Sequence, residues 1–255
     1  MRKILLYGKM PMNKVVVFKW ENLKKQKYPS GNVHKTNIGY DATYVNKHYE
    51  SLCRVAKEDF QYICVTDDPT GLSSGIGTVP LWDKCRDLGG CYNRMYIFSK
   101  DMKNLFGDKF LTVDLDTTFT KDFSHLFNND ITTVHRTIRR QGNKVYHPGI
   151  SLIVPDSFDG VWDTFYDGNI EENIRVSKAF HNGTDQAWFN YYLKKYDRYK
   201  DIKCWNGKTH GIYLTLDLGC KPLPRNCVIV SWAGPRDPYE TTNKRTYPWL
   251  EEYLV

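Results

Sequence analysis

A chain of 255 residues, 41% hydrophobic and 25% charged, has ordinary globular composition. That excludes intrinsic disorder, and the length is enough to bury a core without a disulfide or zinc staple. Lys and Arg number 36 against 29 Asp and Glu, a formal net charge of +7, which suits anionic partners such as nucleotides or phosphorylated lipids. The cationic residues are scattered, with Arg136, Arg139, Arg140 and Lys144 as their densest group. A solvated surface is the plain reading of that charge, and nucleic acid is not expected as a partner.

Seven cysteines, at positions 53, 64, 85, 91, 204, 220 and 227, make an odd number without a CxxC pair. This argues against a disulfide framework or zinc module and for a reducing compartment. The N-terminal apolar run Ile4-Leu5-Leu6-Tyr7 is too short for a signal h-region, and no stretch of about 18 apolar residues occurs. A soluble, cytoplasmic protein is expected, with peripheral contact at a membrane surface as the remaining form of membrane association.

In chain order, Val15–Phe18 reads as a buried strand, and the apolar spacing from Tyr44 to Val55 predicts a helix. Phe60–Val65 is a second strand, stopped by the turn residues Thr66-Asp67-Asp68-Pro69-Thr70-Gly71, and Gly77–Leu81 a short edge segment. A helix is predicted from Tyr92 to Lys100, and a third strand over Phe110–Val113. Alternating strands and helices imply an α/β chain with a mainly parallel sheet. After residue 120 the pattern loosens: Gly149–Val154 and Val228–Val230 are strand-like, and Thr184–Tyr196 is helical. With no internal repeat and no linker, one domain is expected over 1–255.

The stretch that carries chemistry is Phe110-Leu111-Thr112-Val113-Asp114-Leu115-Asp116-Thr117-Thr118. An apolar strand runs into two carboxylates one residue apart, at the strand end where open α/β sheets bind ligands. Such a pair can hold a hard divalent cation, Mg²⁺ or Mn²⁺, shared with substrate phosphates. The plain alternative is an Asx-type turn, with Asp116 as a helix N-cap. The DxDxT spacing also fits the nucleophile loop of haloacid-dehalogenase-type phosphatases, in which Asp114 would be phosphorylated. In that family the motif lies on the first strand, whereas a complete strand-helix-strand-helix unit precedes it here.

Several segments, in order, resemble GT-A-fold nucleotide-sugar-dependent glycosyltransferases of the glycogenin-like and bacterial or viral polysaccharide types. They are Val15–Lys19, Tyr40–Asn46, Cys64–Pro69, Gly89–Arg94, the DxD strand with Phe123–Phe127, Pro148–Leu152, Gly183–Gln186 and Trp232–Pro238. The likeness spans roughly residues 15 to 240. It implies a Rossmann-like, mixed and mainly parallel sheet flanked by helices, with a donor half over about 13–127, an acceptor half over about 128–240 and a tail over 241–255.

The resemblance also implies roles. Asp116 would ligate the metal and Asp114 the metal or the donor ribose, with Leu115 between them on the donor. Arg94 would pair with the donor or the DxD carboxylates. Asp67 would accept a hydrogen bond from uracil, and Phe18, Lys19 and Tyr40 would line the base pocket. Asp185, followed by Gln186, would act beside the transferred sugar, although an Asp in a first helical turn is also favoured by the helix dipole. The Arg136–Lys144 loop, His147, Gly149 and Ser151 would lie on the acceptor side.

One departure stands out. Ala233 occupies the place of the family's third, histidine metal ligand, and His210 is the nearest replacement. The expected function is therefore metal-assisted transfer from a UDP-sugar to a carbohydrate or glycolipid acceptor. A non-catalytic nucleotide- or sugar-binding protein on the same fold is the other reading that this substitution leaves open.

Overall fold

The computed structural model describes residues 12–20, 40–86, 88–138, 142–180, 184–218, 222–232, 238–239 and 245–254. The N-terminal run, Arg139, Arg140, Asn182-Gly183, Cys220 and Ala233 lie outside the described residues.

Strand β1 (Asn13–Lys19) is followed by helix α1 (Ala42–Val55) and β2 (Phe60–Thr66), in parallel register from Asn13↔Phe60 to Lys19↔Thr66. Asp41 starts α1 by accepting the Tyr44 N–H at 2.8 Å, as an N-cap carboxylate does. Strand β3 (Ile76–Pro80) pairs with β2 as the edge strand, where a proline is tolerated. Two short helices, α2 (Asp83–Arg86) and α3 (Met102–Phe106), then lead to β4 (Phe110–Val113) on the other side of β1.

Between α2 and α3, the expected helix from Tyr92 is a 3₁₀ helix over Tyr92–Phe98. A run this long is uncommon for that tight winding. Rings pack against several of its sides: Tyr92 on Phe165 at 5.2 Å, Tyr96 on Trp162 at 5.0 Å and Phe98 on Phe189 at 5.0 Å between centroids. Packing all round overrides the local spacing. Within this helix only Arg94 escapes full burial.

The region after residue 120 is more regular than its sequence suggests. After β5 (Thr117–Phe119), strands β6 (Thr133–Ile138) and β7 (Lys144–Ile153) form a hairpin. Arg136 pairs with Tyr146 and Ile138 with Lys144, so the ends of the expected basic loop are strand residues. β7 inserts antiparallel to β4, and β8 (Lys203–Trp205) closes the sheet parallel to β6. The order is β3-β2-β1-β4-β7-β6-β8. The β6 pairing steps from Val134↔Ser151 to His135↔His147, leaving Pro148, Gly149 and Ile150 outside it. The irregular period at His147-Pro148-Gly149 is this bulge, a feature common beside active sites.

Alternation along β1 sends Val15 and Val17 to one face of the sheet and Val16 and Phe18 to the other. The first face is covered by α1 and by a second sheet, in which β10 (Ile229–Ser231) lies between β5 and β9 (Ile212–Leu214). The second face is covered by the 3₁₀ helix, α4 (Val161–Tyr166), α5 (Ile170–Phe180) and α6 (Asp185–Lys195). The result is a mixed, mainly parallel sheet flanked by helices, as expected. The described cysteines are free thiols.

Candidate active site

β4 ends at Val113, and its continuation alternates: Leu115 is buried in the core, whereas Asp114 and Asp116 are half-buried. Leu115 can therefore offer a ligand only its backbone. Two neighbours fix the turn. The Thr117 hydroxyl donates to the Asp114 carbonyl at 2.7 Å, and the Trp232 N–H donates to the Asp116 carbonyl at 3.0 Å. The Trp232 indole N–H also donates to the Thr118 hydroxyl at 3.0 Å. The turn enters strand β5, so Asp116 caps no helix.

Three elements meet over Asp114. Arg94 donates through Nη1 to Asp114 Oδ1 and through Nε to Asp185 Oδ2. The side chains are 15% exposed for Arg94, 28% for Asp114 and only 4% for Asp185. Asp185 opens α6, and Thr184 beside it accepts the Cys91 N–H at 3.1 Å and donates to Asp185 Oδ1 at 3.3 Å. This ties the start of α6 to the loop that carries Arg94. Burial pulls the Arg94 guanidinium down, but Asp185 above all, with Cys91 and Asp116, outweighs it and holds Arg94 above its ordinary range. Arg94 is a fixed cation among carboxylates.

Three carboxylates, Asp114, Asp116 and Asp185, thus surround one guanidinium, a charge pattern that suits a divalent cation. Among the described residues no group of three or more His, Cys, Asp or Glu side chains is placed to hold one. A Mg²⁺ or Mn²⁺ ion would take one or two carboxylates here and complete its shell with water and ligand oxygens, the usual habit of Mg²⁺. His210 does not supply the third ligand. It precedes Ile212, which pairs with Ile229 beside Phe119, whereas the Asp116 end of the small sheet is Thr117↔Ser231. His210 therefore lies at the opposite end of these strands.

β7 passes directly beneath Asp114. Its register with β4 runs from Phe110↔Ile153 to Val113↔Ile150, which brings Gly149 opposite Asp114. A Cβ at position 149 would overlap the Asp114 carboxylate. His147 stacks on His135 at 5.1 Å, accepts at Nδ1 from the Gln186 amide at 2.8 Å and meets the Thr137 hydroxyl through Nε2 at 2.8 Å. Gln186, next to Asp185 in sequence, is thus tied to His147 on β7, two residues before the Gly149 that lies against Asp114. Ser151 does not join them. It is fully buried within the sheet and its hydroxyl donates to the Pro148 carbonyl at 3.0 Å, so an acceptor cannot reach it.

The carboxyl ends of β1 and β2 and the amino end of α1 share the same sheet edge, because β1-α1-β2 is a parallel crossover. Lys19 donates to the Asp68 carbonyl at 2.7 Å, and Asp68 Oδ1 accepts the Thr70 N–H at 2.9 Å, so the Asp67-Asp68 turn is braced from both sides. Asp67 is half-buried there, and Tyr40 packs on Tyr44 at 4.5 Å. Phe18 is different. Its ring is buried against Trp20 and Trp82, at 6.2 and 5.9 Å, which makes it a core aromatic rather than a pocket lining.

Sequence reasoning gave no site role to Thr184 or Thr117. The signal was a hydroxyl residue beside each acidic one, the pattern by which Ser and Thr brace local turns.

No protein-family model and no curated protein matches the chain. Solved structures do. The galactosyltransferase LgtC, solved in complex with donor and acceptor sugar analogs, superposes with a TM-score of 0.57 at 12% identity over 95% of this chain and 96% of its own. The glycosyltransferase GlyE of Streptococcus pneumoniae TIGR4 gives 0.56 at 15% identity, over 90% of this chain and 57% of its own. The bifunctional glycosyltransferase WbbM gives 0.50 at 13% identity, over 95% and 51%. At such identities the likeness is one of fold. It differs from the arrangement the phosphatase reading needs, since Asp114 follows the fourth strand of the chain and not the first. The chain has a GT-A-type glycosyltransferase fold.

Proposed function

We propose that this protein transfers a sugar from a nucleotide-sugar, a UDP-sugar, to a carbohydrate or glycolipid acceptor, with Mg²⁺ or Mn²⁺ at Asp114 and Asp116. The observation that carries the reading is the cluster of Asp114, Asp116 and Asp185 around Arg94, at the carboxyl end of β4 on this fold. The bound cation would neutralise the departing diphosphate. Arg94 would hold Asp114 and Asp185 in place through its fork and add fixed positive potential. Asp185, oriented by Arg94 and Thr184, would hold a donor-sugar hydroxyl or stabilise positive charge developing on the ring. Asp67 would read the base, with Lys19 bracing its turn and Tyr40 beside it. Gln186 and His147 would face the acceptor.

No described helix is long and apolar enough to cross a membrane. We propose a cytoplasmic reaction on the unpaired, odd cysteine count of the sequence, with peripheral membrane contact where the acceptor is lipid-linked.

The test is calorimetry of UDP in Mn²⁺ and in chelator, paired with UDP release from a panel of UDP-sugars. Cation-dependent binding with turnover, lost in Asp116→Ala, supports transfer. Equal nucleotide affinity in Mn²⁺ and chelator sinks the metal assignment, and binding without turnover indicates a nucleotide-binding protein instead.

A further inference from the structure

Behind the Asp114–Asp116 turn lies a fully buried polar chain that the site chemistry does not use. Tyr62 on β2 meets His48 Nδ1 at 2.6 Å, His48 Nε2 meets the Thr117 hydroxyl at 3.0 Å, and that hydroxyl meets the Asp114 carbonyl at 2.7 Å. Tyr62, His48 and Thr117 are each at most 2% exposed. His48 sits mid-way along α1, with its ring edge against Phe119 at 5.9 Å.

Proton counting fixes every donor in this chain. The Asp114 carbonyl can only accept, so the Thr117 hydroxyl must give it its single proton. Thr117 Oγ1 is then an acceptor toward the imidazole, and His48 must carry its proton on Nε2. Nδ1 is left bare and accepts the Tyr62 hydroxyl. Proton donation therefore runs one way, from Tyr62 through His48 and Thr117 to the backbone of Asp114. Burial pushes His48 down to about 3, so the neutral ring that this order needs persists at ordinary pH.

We propose that His48 is a positioning residue for the carboxylate turn: held as the Nε2–H tautomer by Tyr62, it aims the Thr117 hydroxyl at the Asp114 carbonyl. This sets where the Asp114 and Asp116 side chains emerge from the sheet. The arrangement joins the β1-α1-β2 unit, whose edge carries Asp67, to the turn that faces Arg94. The role in catalysis rests on the sugar-transfer reading, whereas the tautomer and its hold on the turn do not.

The first test uses the wild-type chain: nitrogen-15 NMR of the imidazoles should show His48 neutral, with its proton on Nε2. A proton on Nδ1 overturns the proposal. The second test is hydrogen–deuterium exchange and kcat for UDP release, both on folded protein. Thr117→Val and His48→Asn should speed exchange of segment 113–118, leave β1 and β2 protected, and lower kcat by about 10-fold or more, as small misplacements of catalytic groups do. His48→Gln, whose amide reaches the Nε2 position, and Thr117→Ser should restore both readouts. The double variant His48→Asn/Thr117→Val should lose no more than the worse single, because both remove one chain of bonds. Loss confined to global stability, with unchanged exchange at 113–118 and unchanged kcat, overturns the proposal. If the wild-type chain turns over no donor, sugar transfer fails, and the tautomer and exchange measurements still decide the role of His48.

Discussion

Gly149 is the floor on which the Asp114 carboxylate rests: the β4–β7 register brings it opposite Asp114, and no Cβ fits between them. The bulge at Pro148–Ile150 falls at this same point of the longest described strand.

Gly149→Ala should therefore act on the site more than on the fold. The added methyl must displace the carboxylate or the strand, a strain of about 1–3 kcal/mol. Displacing Asp114 breaks its bond to Arg94, and donor turnover should fall by roughly 10²-fold, the scale of a 1 Å misplacement. Thermal unfolding and UDP release check both halves; unchanged turnover would show that Asp114 does not need this seat.

Arg94 separates charge from geometry. Arg94→Ala leaves Asp185, 4% exposed, without its partner, and should destabilise the fold by about 3–5 kcal/mol. Arg94→Lys keeps the charge but cannot bridge two carboxylates with one planar fork. It should recover most of the stability lost in Arg94→Ala and little of the donor turnover. Urea unfolding beside kinetics reads the split, and full recovery of turnover in the lysine variant would reduce Arg94 to a point charge.

The chain up to the Asp114–Asp116 turn was legible in sequence because its signals are local. Val15–Phe18, Phe60–Val65 and Phe110–Val113 are short apolar runs between turn residues, and the acidic pair follows the last of them directly. The chain after residue 120 was less so, because β7 is interrupted by Pro148-Gly149 and its period fails at the bulge, while the ends of the expected basic loop are hairpin strands. Arg94 was legible as a partner of the acidic pair, but not its simultaneous hold on Asp185, 91 residues away. Phe18 and Ser151 were misplaced for a common reason: their motifs lie at the site edge, yet the sheet is covered on both faces, so their side chains are buried whichever way they point. His48 gave no signal at all, since a single His in an amphipathic helix shows neither its depth nor its partners.

Two buried histidines contribute to the pH response of the fold. Burial lowers His48 from 6.5 to about 3, and His135 from 6.5 to about 4 despite a backbone hydrogen bond to Ile212 that opposes the shift. Unfolded, both take a proton near 6.5; folded, they remain neutral until those lower values. The unfolded state binds more protons between them, so stability is fully present above about 6.5 and is lost as pH falls toward 4. The slope per histidine is on the order of 1 kcal/mol for each pH unit. Urea unfolding at pH 7.5 and pH 5 should show this loss, with a smaller difference in His48→Gln. An equal difference in wild type and variant would mean that His48 protonates in the folded protein without penalty.

Asp185 is where fold and chemistry can be parted most cleanly. It is the first residue of α6, where a carboxylate is favoured by the helix dipole, and it is also the innermost acid of the Arg94 cluster. Asp185→Asn keeps the size and an oxygen to accept the Arg94 N–H, so the bond persists without its charge. Replacing the ion pair by a hydrogen bond from the same guanidinium to an uncharged amide oxygen should destabilise by about 1–2 kcal/mol, leaving a folded protein. Nucleotide affinity should change little, because Asp67 and the Asp114–Asp116 turn remain. If Asp185 acts at the transferred sugar as proposed, turnover should fall by about 10²-fold or more, since its negative charge would be lost where positive charge develops. The paired measurement is kcat for UDP release and Kd for UDP in Mn²⁺. Unchanged kcat with reduced stability would make Asp185 a helix-start residue that only steadies Arg94. A matching loss in both quantities would place it in nucleotide binding rather than at the sugar.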